Sequence, residues 1–432
     1  ALAAEDYFLI VGPPGTGKTS IFARRLIEEY YAQPDTNILV LAYTNRAVDE
    51  LCEAILAAFD GKSPDEAPFI RIGSELSCAE PYRDKLLQRI SEKAVNREQL
   101  RDQIEQTRIF VATVASLNGK MELFSLKNFQ IAIVDEASQI LEPQLIGILP
   151  KVNKFILIGD HNQLSTIVLQ KPLVSAIHEP ELNQIGFLDC RDSLFERLFR
   201  VCNANGWEHA CAQLTQQGRM HNDIANFPAT FYYSQGLQPA GQWQQEAWTL
   251  ECTAPCNLFD KCVASQRVAM FSTEKLFRFT PSNKINETEA DIVVRLVQSI
   301  YRIYEANGKS FSSNMLGIIA PYRNQIALIK HKLASAGIID YDKIMVDTVE
   351  RFQGSQREVI LLSFCVNQPY QLDLMCNLNH DGKVDRKLNV AITRARQQFF
   401  MTGNARLLRR HPVYATLLDF YDSQTFVLNE IP

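Results

Sequence analysis

The stretch Gly12-Pro13-Pro14-Gly15-Thr16-Gly17-Lys18-Thr19 limits what this chain can fold into more than any other part of it. The apolar run Phe8 to Val11 precedes it and a helix-like segment, Ser20 to Tyr31, comes after it, so the order reads strand, loop, helix. Glycines at 12, 15 and 17 let successive backbone N–H groups turn inward with no Cβ in the way. The helix behind them points its positive end at the same place. Such a loop wraps a polyphosphate. In the spacing G-x-x-x-x-G-K-T, Lys18 reaches the β- and γ-phosphates and the Thr19 hydroxyl ligands Mg²⁺, so residues Gly12 through Ser20 are candidates for holding ATP with its Mg²⁺. A phosphate loop alone leaves kinase, GTPase, transporter ATPase and helicase open.

A chain of 432 residues has room for two or three domains, each able to bury its own core. No segment has the 18 or more consecutive apolar residues of a membrane span, and no secretory signal is present. A net charge of −5 argues against a protein coated in positive charge, but a local basic channel would suffice for nucleic acid. Ten cysteines without a regular framework fit reduced thiols and a cytoplasmic location. Cys252, Cys256 and Cys262 cluster without a fourth ligand at zinc spacing, which makes metal a minority reading. The chain opens at Ala1 with about seven residues before the first strand, and reads as a piece of a longer protein.

Beyond the loop, Ile38 to Ala42, Ile109 to Ala112, Gln130 to Val134 and Lys154 to Ile158 are short, continuous apolar runs, each succeeded by polar residues. Strands buried on both faces of a parallel sheet look like this. A helical face, Val48, Leu51, Cys52 and Ile55, lies between the first two. Residues 60–107 break the rhythm and read as a mainly helical insertion with an apolar stripe of Leu86, Ile90, Leu100 and Ile104. A second α/β unit begins at about 186, with candidate strands Val268 to Phe271, Leu316 to Ala320, Ile344 to Asp347, Val359 to Phe364 and Phe399 to Thr402. The expected division is therefore 1–185 and 186–432, with 234–266 as a long irregular connection.

Asp135-Glu136 comes directly after the strand Gln130 to Val134, where a second acidic site for nucleotide chemistry belongs. Asp135 would hold the metal through water, and Glu136 would orient and deprotonate an attacking water, which makes the reaction hydrolysis. Phosphoryl transfer also needs positive charge on the γ-phosphate, and the second unit offers Arg219 and Arg394 for it. If both meet the nucleotide, ATP binding draws the two units together and hydrolysis releases them.

The ordered set resembles the motif series of superfamily 1 helicases. It comprises Gly12 to Thr19, Ala42 to Asn45, Asp135 to Gln139, Gly159 to Leu164, Gln217 to His221, Ala320 to Arg323, Val346 to Gly354 and Leu388 to Arg396. Asp135-Glu136-Ala137-Ser138-Gln139, Asp347 to Ser355 and Asn389 to Arg396 are similar to the 1B subgroup that contains the Okazaki-fragment helicase–nuclease and the nonsense-mediated-decay RNA helicase. The first two lean toward the DNA member. The resemblance implies an α/β chain of two tandem RecA-like P-loop domains with ATP between them and a single strand, DNA more than RNA, across their top. It implies 5′-to-3′ movement. Gln163 and Gly354 would then sense the γ-phosphate, and Thr44, Asn45, Thr113, Pro321, Tyr322, Arg323, Thr348 and Arg351 would contact phosphates and sugars of the strand.

Two departures bear on the base of the nucleotide. The subgroup places an aromatic before the arginine at 219, where this chain has Gly218, and no adenine-reading glutamine motif lies upstream of Gly12. The nuclease of the helicase–nuclease relatives has no counterpart either. An RNA helicase of the same subgroup and an ATP-gated nucleic-acid clamp are the alternatives; a small-molecule kinase is a distant third.

Overall fold

The computed structural model describes residues 1–59, 68–166, 168–252, 256–276 and 282–431. The turn expected at the start of the insertion (60–67), position 167 and the middle of the 234–266 connection (253–255) lie outside the described residues. Contacts divide the chain into two α/β units, Ala1–His161 with Ser165–Leu214, and Asn162–Leu164 with Thr215–Pro432.

In the first unit seven strands form one sheet: β1 (Tyr7–Val11), β2 (Ile38–Ala42), β3 (Phe69–Ile72), β4 (Ile109–Thr113), β5 (Phe129–Val134), β6 (Val152–Gly159) and β7 (Cys211–Gln213). Their order is β3-β4-β2-β5-β6-β1-β7 and every pairing is parallel. Alternate residues of each central strand enter different cores, which explains the unbroken apolar runs. Ile10, Val40, Ile133 and Ile158 pack with Ile27 of helix Arg24–Tyr31 and Leu51 of helix Asn45–Ala58. Leu9, Leu41, Ala132 and Leu157 face the other way, toward Phe195 and Cys202 of helix Leu194–Asn205.

That last helix moves the domain boundary. Its buried Phe195 and the pairing of β7 with β1 place residues 186–214 in the first unit, so the division falls after Leu214 rather than after 185. The insertion is also smaller than expected, because Phe69–Ile72 is an edge strand of the parent sheet, paired with β4. Past this strand the chain is helical as expected, over Leu87–Lys93 and Arg97–Gln106, with Leu86 and Ile104 buried in the parent cores.

The second unit holds a short parallel ribbon of β8 (Gln216–Gln217) and β9 (Gln238–Pro239). Besides the ribbon it has a six-stranded sheet of β10 (Val268–Ser272), β11 (Leu316–Ile319), β12 (Met345–Asp347), β13 (Arg357–Ser363), β14 (Ala395–Gly403) and β15 (Thr425–Val427). The order β12-β11-β13-β14-β10-β15 is again parallel throughout. These are the two parallel sheets flanked by helices that a pair of RecA-like units requires.

Residues 234–266 are more ordered than their weak periodicity suggests. Asn257 caps helix Leu258–Ser265, whose Phe259, Cys262 and Val263 are buried in the core. Cys252 and Cys256 are joined by a disulfide, contrary to the expectation of reduced thiols throughout; their Cα atoms lie 6.3 Å apart, within bridging range. The pair is thereby removed from the metal reading, and Cys262 is a free buried thiol. Among the described residues no helix is long and apolar enough to cross a membrane.

Candidate active site

β1 delivers the chain to Gly12, whose N–H donates to Gly159 O at 2.8 Å and so ties the loop to the end of β6. A Cβ at Gly12 would stand 2.2 Å from Lys18 Cγ, so the lysine stem crosses the space a side chain would fill. Glycine is required there by packing. At Gly17 the requirement is conformational, since φ is +71° and a Cβ would lie 2.7 Å from Ile21 Cδ1. Thr16 fastens the turn by donating its hydroxyl to Pro13 O at 2.7 Å. Gly12, Pro13, Pro14 and Thr16 are buried, Gly15, Gly17, Lys18 and Thr19 partly open, and Ser20 exposed.

The loop meets β5 through two side-chain contacts. Thr19 donates its hydroxyl to Asp135 Oδ2, and Lys18 Nζ lies 3.9 Å from Glu136 Oε1. Asp135 is fully buried, and its other oxygen accepts the Glu136 N–H at 2.8 Å. Burial raises the Asp135 carboxyl from 3.8 to about 6, the neighbouring Glu136 adding to it, against the pull of Thr19 and Lys18. Glu136 takes a left-handed backbone, φ 51°, rare outside glycine and costly unless the surroundings hold it. Gln139, three residues on in a tight helical turn, donates to Glu136 Oε2 at 3.0 Å and fixes the carboxylate's direction. Ser138 accepts the Asp160 N–H at 3.1 Å, joining the ends of β5 and β6.

A second cluster lies in the second unit and gathers four of the expected residues. Arg394, 2% exposed, donates to Val390 O at 3.2 Å, Ser355 O at 3.3 Å and Gln163 Oε1 at 3.3 Å. Arg219 donates to Gln356 Oε1 at 3.2 Å and to Thr393 O at 3.4 Å, so Thr393 sits between the two arginines. Gly354, with φ 74°, turns the chain just before Ser355 and Gln356. The buried Gln217 holds the Arg219 segment by accepting its N–H at 2.9 Å, and Gln244 donates to both Gln217 O and Met220 O. Between those carbonyls a Cβ added at Gly218 would meet nothing within 4 Å.

The residues expected to touch a strand are spread along strand ends. In the first unit Thr44 is exposed and caps helix Asn45–Ala58, its hydroxyl accepting the Ala47 N–H at 3.2 Å, and the half-buried Asn45 opens that helix. Thr113 is 5% exposed, with its hydroxyl used by Ser116, and serves as a helix cap. In the second unit Pro321 and Thr348 line a cavity of about 60 Å³ beyond β11, Tyr322 accepts a hydrogen bond from Gln371, and Arg323 and Arg351 are exposed. The residues that a linear reading misses are amides that brace others: Gln139, Gln217, Gln244 and Gln356. Gln139 and Gln217 carry a sequence signal, as the ends of the motifs Asp135 to Gln139 and Gln217 to His221, and Gln244 and Gln356 carry none.

Two family models, each described as an AAA domain, match the chain, one over residues 190–406 and the other over 1–98 and 83–171. The chain is 29% identical over 437 residues to the DNA replication ATP-dependent helicase/nuclease JHS1 of Arabidopsis thaliana, covering all of this chain and 30% of that protein. It is 29% identical to the human DNA replication ATP-dependent helicase/nuclease DNA2, across 99% of this chain and 38% of that one. It is 26% identical to a Neurospora crassa homolog of regulator of nonsense transcripts 1, across 97% of this chain and 38% of that one. The chain thus spans about a third of the length of these relatives.

Proposed function

This chain belongs to the AAA-domain family of superfamily 1 helicases, and we propose that it couples ATP hydrolysis to 5′-to-3′ movement along single-stranded nucleic acid, DNA in preference to RNA. One observation carries the reading: the phosphate loop and the Asp135-Glu136 pair, 116 residues apart in sequence, are brought into hydrogen-bond contact through Thr19 and Asp135. The loop backbone from Gly12 to Thr19 would cradle the triphosphate and Lys18 would neutralise its β- and γ-oxygens. Glu136, aimed by Gln139, is the general base for the attacking water.

The Thr19 hydroxyl and the Asp135 carboxylate form an all-oxygen donor set that fits a hard cation such as Mg²⁺. Bound there, the ion would offset charge on the β- and γ-phosphates. Burial and Glu136 raise the Asp135 carboxyl, and a cation beside it would favour its ionised, ligating form. By the motif resemblance Gln163, Arg219 and Arg394, clustered in the second unit, would supply positive charge and a polar sensor to the γ-phosphate.

The preference for DNA rests on the helicase/nuclease relatives, 29% identical, ahead of the nonsense-transcript regulator homolog at 26%. Strand displacement on duplexes with a 5′ or a 3′ single-stranded tail tests the proposal. Unwinding of the 5′-tailed DNA duplex is expected. Unwinding of only the 3′-tailed duplex overturns the polarity; unwinding of neither, with ATP-dependent strand binding retained, makes the chain a clamp. Faster unwinding of RNA reverses the substrate preference.

A further inference from the structure

Beyond β13 the chain makes a short helix, Tyr370–Met375, that none of the expected contacts uses. Two large apolar side chains on it are open to solvent, Tyr370 at 55% and Leu374 at 70% exposure. They are four residues apart and share one face of the helix. A single exposed apolar residue needs no explanation, but this pair stands on a built foundation.

The foundation is Gln371, 2% exposed, which uses its whole side-chain amide. Its oxygen accepts the N–H groups of Asn367 and Gln368, each at 2.9 Å. Its nitrogen donates to Asn283 O at 2.8 Å and to Tyr322 Oη at 3.0 Å. Tyr370 itself accepts a hydrogen bond from Asn283 Nδ2 at 3.1 Å. The ring is therefore held by its hydroxyl at one edge while much of its surface stays open. Tyr322 comes after β11 and Gln371 after β13, so both stand beyond the carboxyl ends of neighbouring parallel strands, where sheets of this type bind ligands.

We propose that the Tyr370–Leu374 face is a stacking platform for a base of the single strand, next to the backbone contacts at Tyr322 and Arg323. The inference rests on the strand-binding reading above and adds to it a contact to a base. A base offers a π-face whatever its identity, so the platform strengthens binding without selecting sequence. Tyr322 and Tyr370 are joined through adjacent bonds of Gln371 and Asn283, which keeps the platform in register with the backbone contact.

The test is equilibrium binding of a fluorescent single strand to the full chain and to Tyr370→Ala, Tyr370→Phe and Leu374→Ala, with an ordinary strand and with one whose central nucleotides are abasic. On the ordinary strand Tyr370→Ala is expected to weaken binding about tenfold, Leu374→Ala less, and Tyr370→Phe, which keeps the ring but loses the bond from Asn283, by no more than about threefold. On the abasic strand the Tyr370→Ala loss should vanish. Equal affinity of the unaltered chain and Tyr370→Ala for the ordinary strand overturns the platform, as does an equal loss on both strands. If the unaltered chain binds neither strand, the strand-binding reading fails and the platform fails with it. The exposure of Tyr370 means that the melting temperature of Tyr370→Ala should match the unaltered chain, which separates lost binding from lost fold.

Discussion

Lys18 Nζ lies 3.9 Å from Glu136 Oε1, so the lysine that would meet the γ-phosphate and the carboxylate that would activate water already face one another in the first unit. A triphosphate entering the loop competes with Glu136 for Lys18. Lys18→Ala should reduce ATP hydrolysis by about 10² to 10³-fold, the usual cost of removing one preorganised charge from a transition state. Glu136→Gln should leave nucleotide binding within a few-fold of normal while hydrolysis falls as far. Steady-state ATPase rates alongside nucleotide titration check both.

The two arginines of the second unit should separate by their effect on the fold. Arg394 is buried and donates to Val390 O, Ser355 O, Gln163 Oε1 and Thr393 Oγ1, so Arg394→Ala should cost about 2 kcal/mol or more in stability as well as hydrolysis. Arg219 is half-buried and makes two longer hydrogen bonds, to Gln356 Oε1 and Thr393 O, so Arg219→Ala should cost about 1 kcal/mol while lowering kcat by about 10³-fold. Chemical denaturation and ATPase assays on both variants measure the contrast.

Glu289 gives the fold a pH dependence away from the active site. It is fully buried, accepting from Ser363 Oγ at 2.7 Å and Cys365 N at 2.8 Å. Burial raises its carboxyl from 4.5 to about 7, and those two hydrogen bonds pull the other way. A carboxyl whose folded pKa lies above its unfolded one supports the fold fully below about 4.5 and loses that support as pH rises through about 7. Glu289→Gln should therefore be more stable than the unaltered chain at pH 8, by on the order of 1–3 kcal/mol, and no more stable at pH 5. Denaturation of both proteins at the two pH values decides it; the same difference at each would exclude titration of Glu289 as the cause.

Gly218 leaves the position before Arg219 open, with space for a larger side chain. The contacts proposed for the loop are all to phosphate, and Gly218 offers no side chain to the base. Rates of hydrolysis for ATP and other nucleoside triphosphates should then lie within about tenfold of one another, the scale of a single stacking contact. Gly218→Tyr should widen the preference for ATP without loss of stability. A strict ATP preference in the unaltered chain would place base recognition elsewhere.

The sheets were legible because each central strand is buried on both faces and so reads as a continuous apolar run, as Ile38 to Ala42 does. The phosphate loop and Asp135-Glu136 were legible because their chemistry is local to a few residues. Strand β7 was not: Cys211–Gln213 is short and partly exposed, so it took its pairing with β1 and the burial of Phe195 to assign residues 186–214 to the first unit. The amides that brace the arginines were hidden for the same reason, since Gln356 reaches Arg219 across 137 residues. Thr113, expected from the resemblance to contact the single strand, is 5% exposed and caps the helix after β4 through Ser116, a local role that its place in the sequence does not reveal.

The most direct test of the account is ATP hydrolysis by the full chain with and without matched single-stranded DNA and RNA, at several salt concentrations because backbone binding weakens with salt. Hydrolysis should rise severalfold or more with single strands, more with DNA than with RNA, fall back as salt increases, and drop to a small residue in Lys18→Ala. Hydrolysis that ignores both nucleic acids at low salt would contradict a motor on single strands.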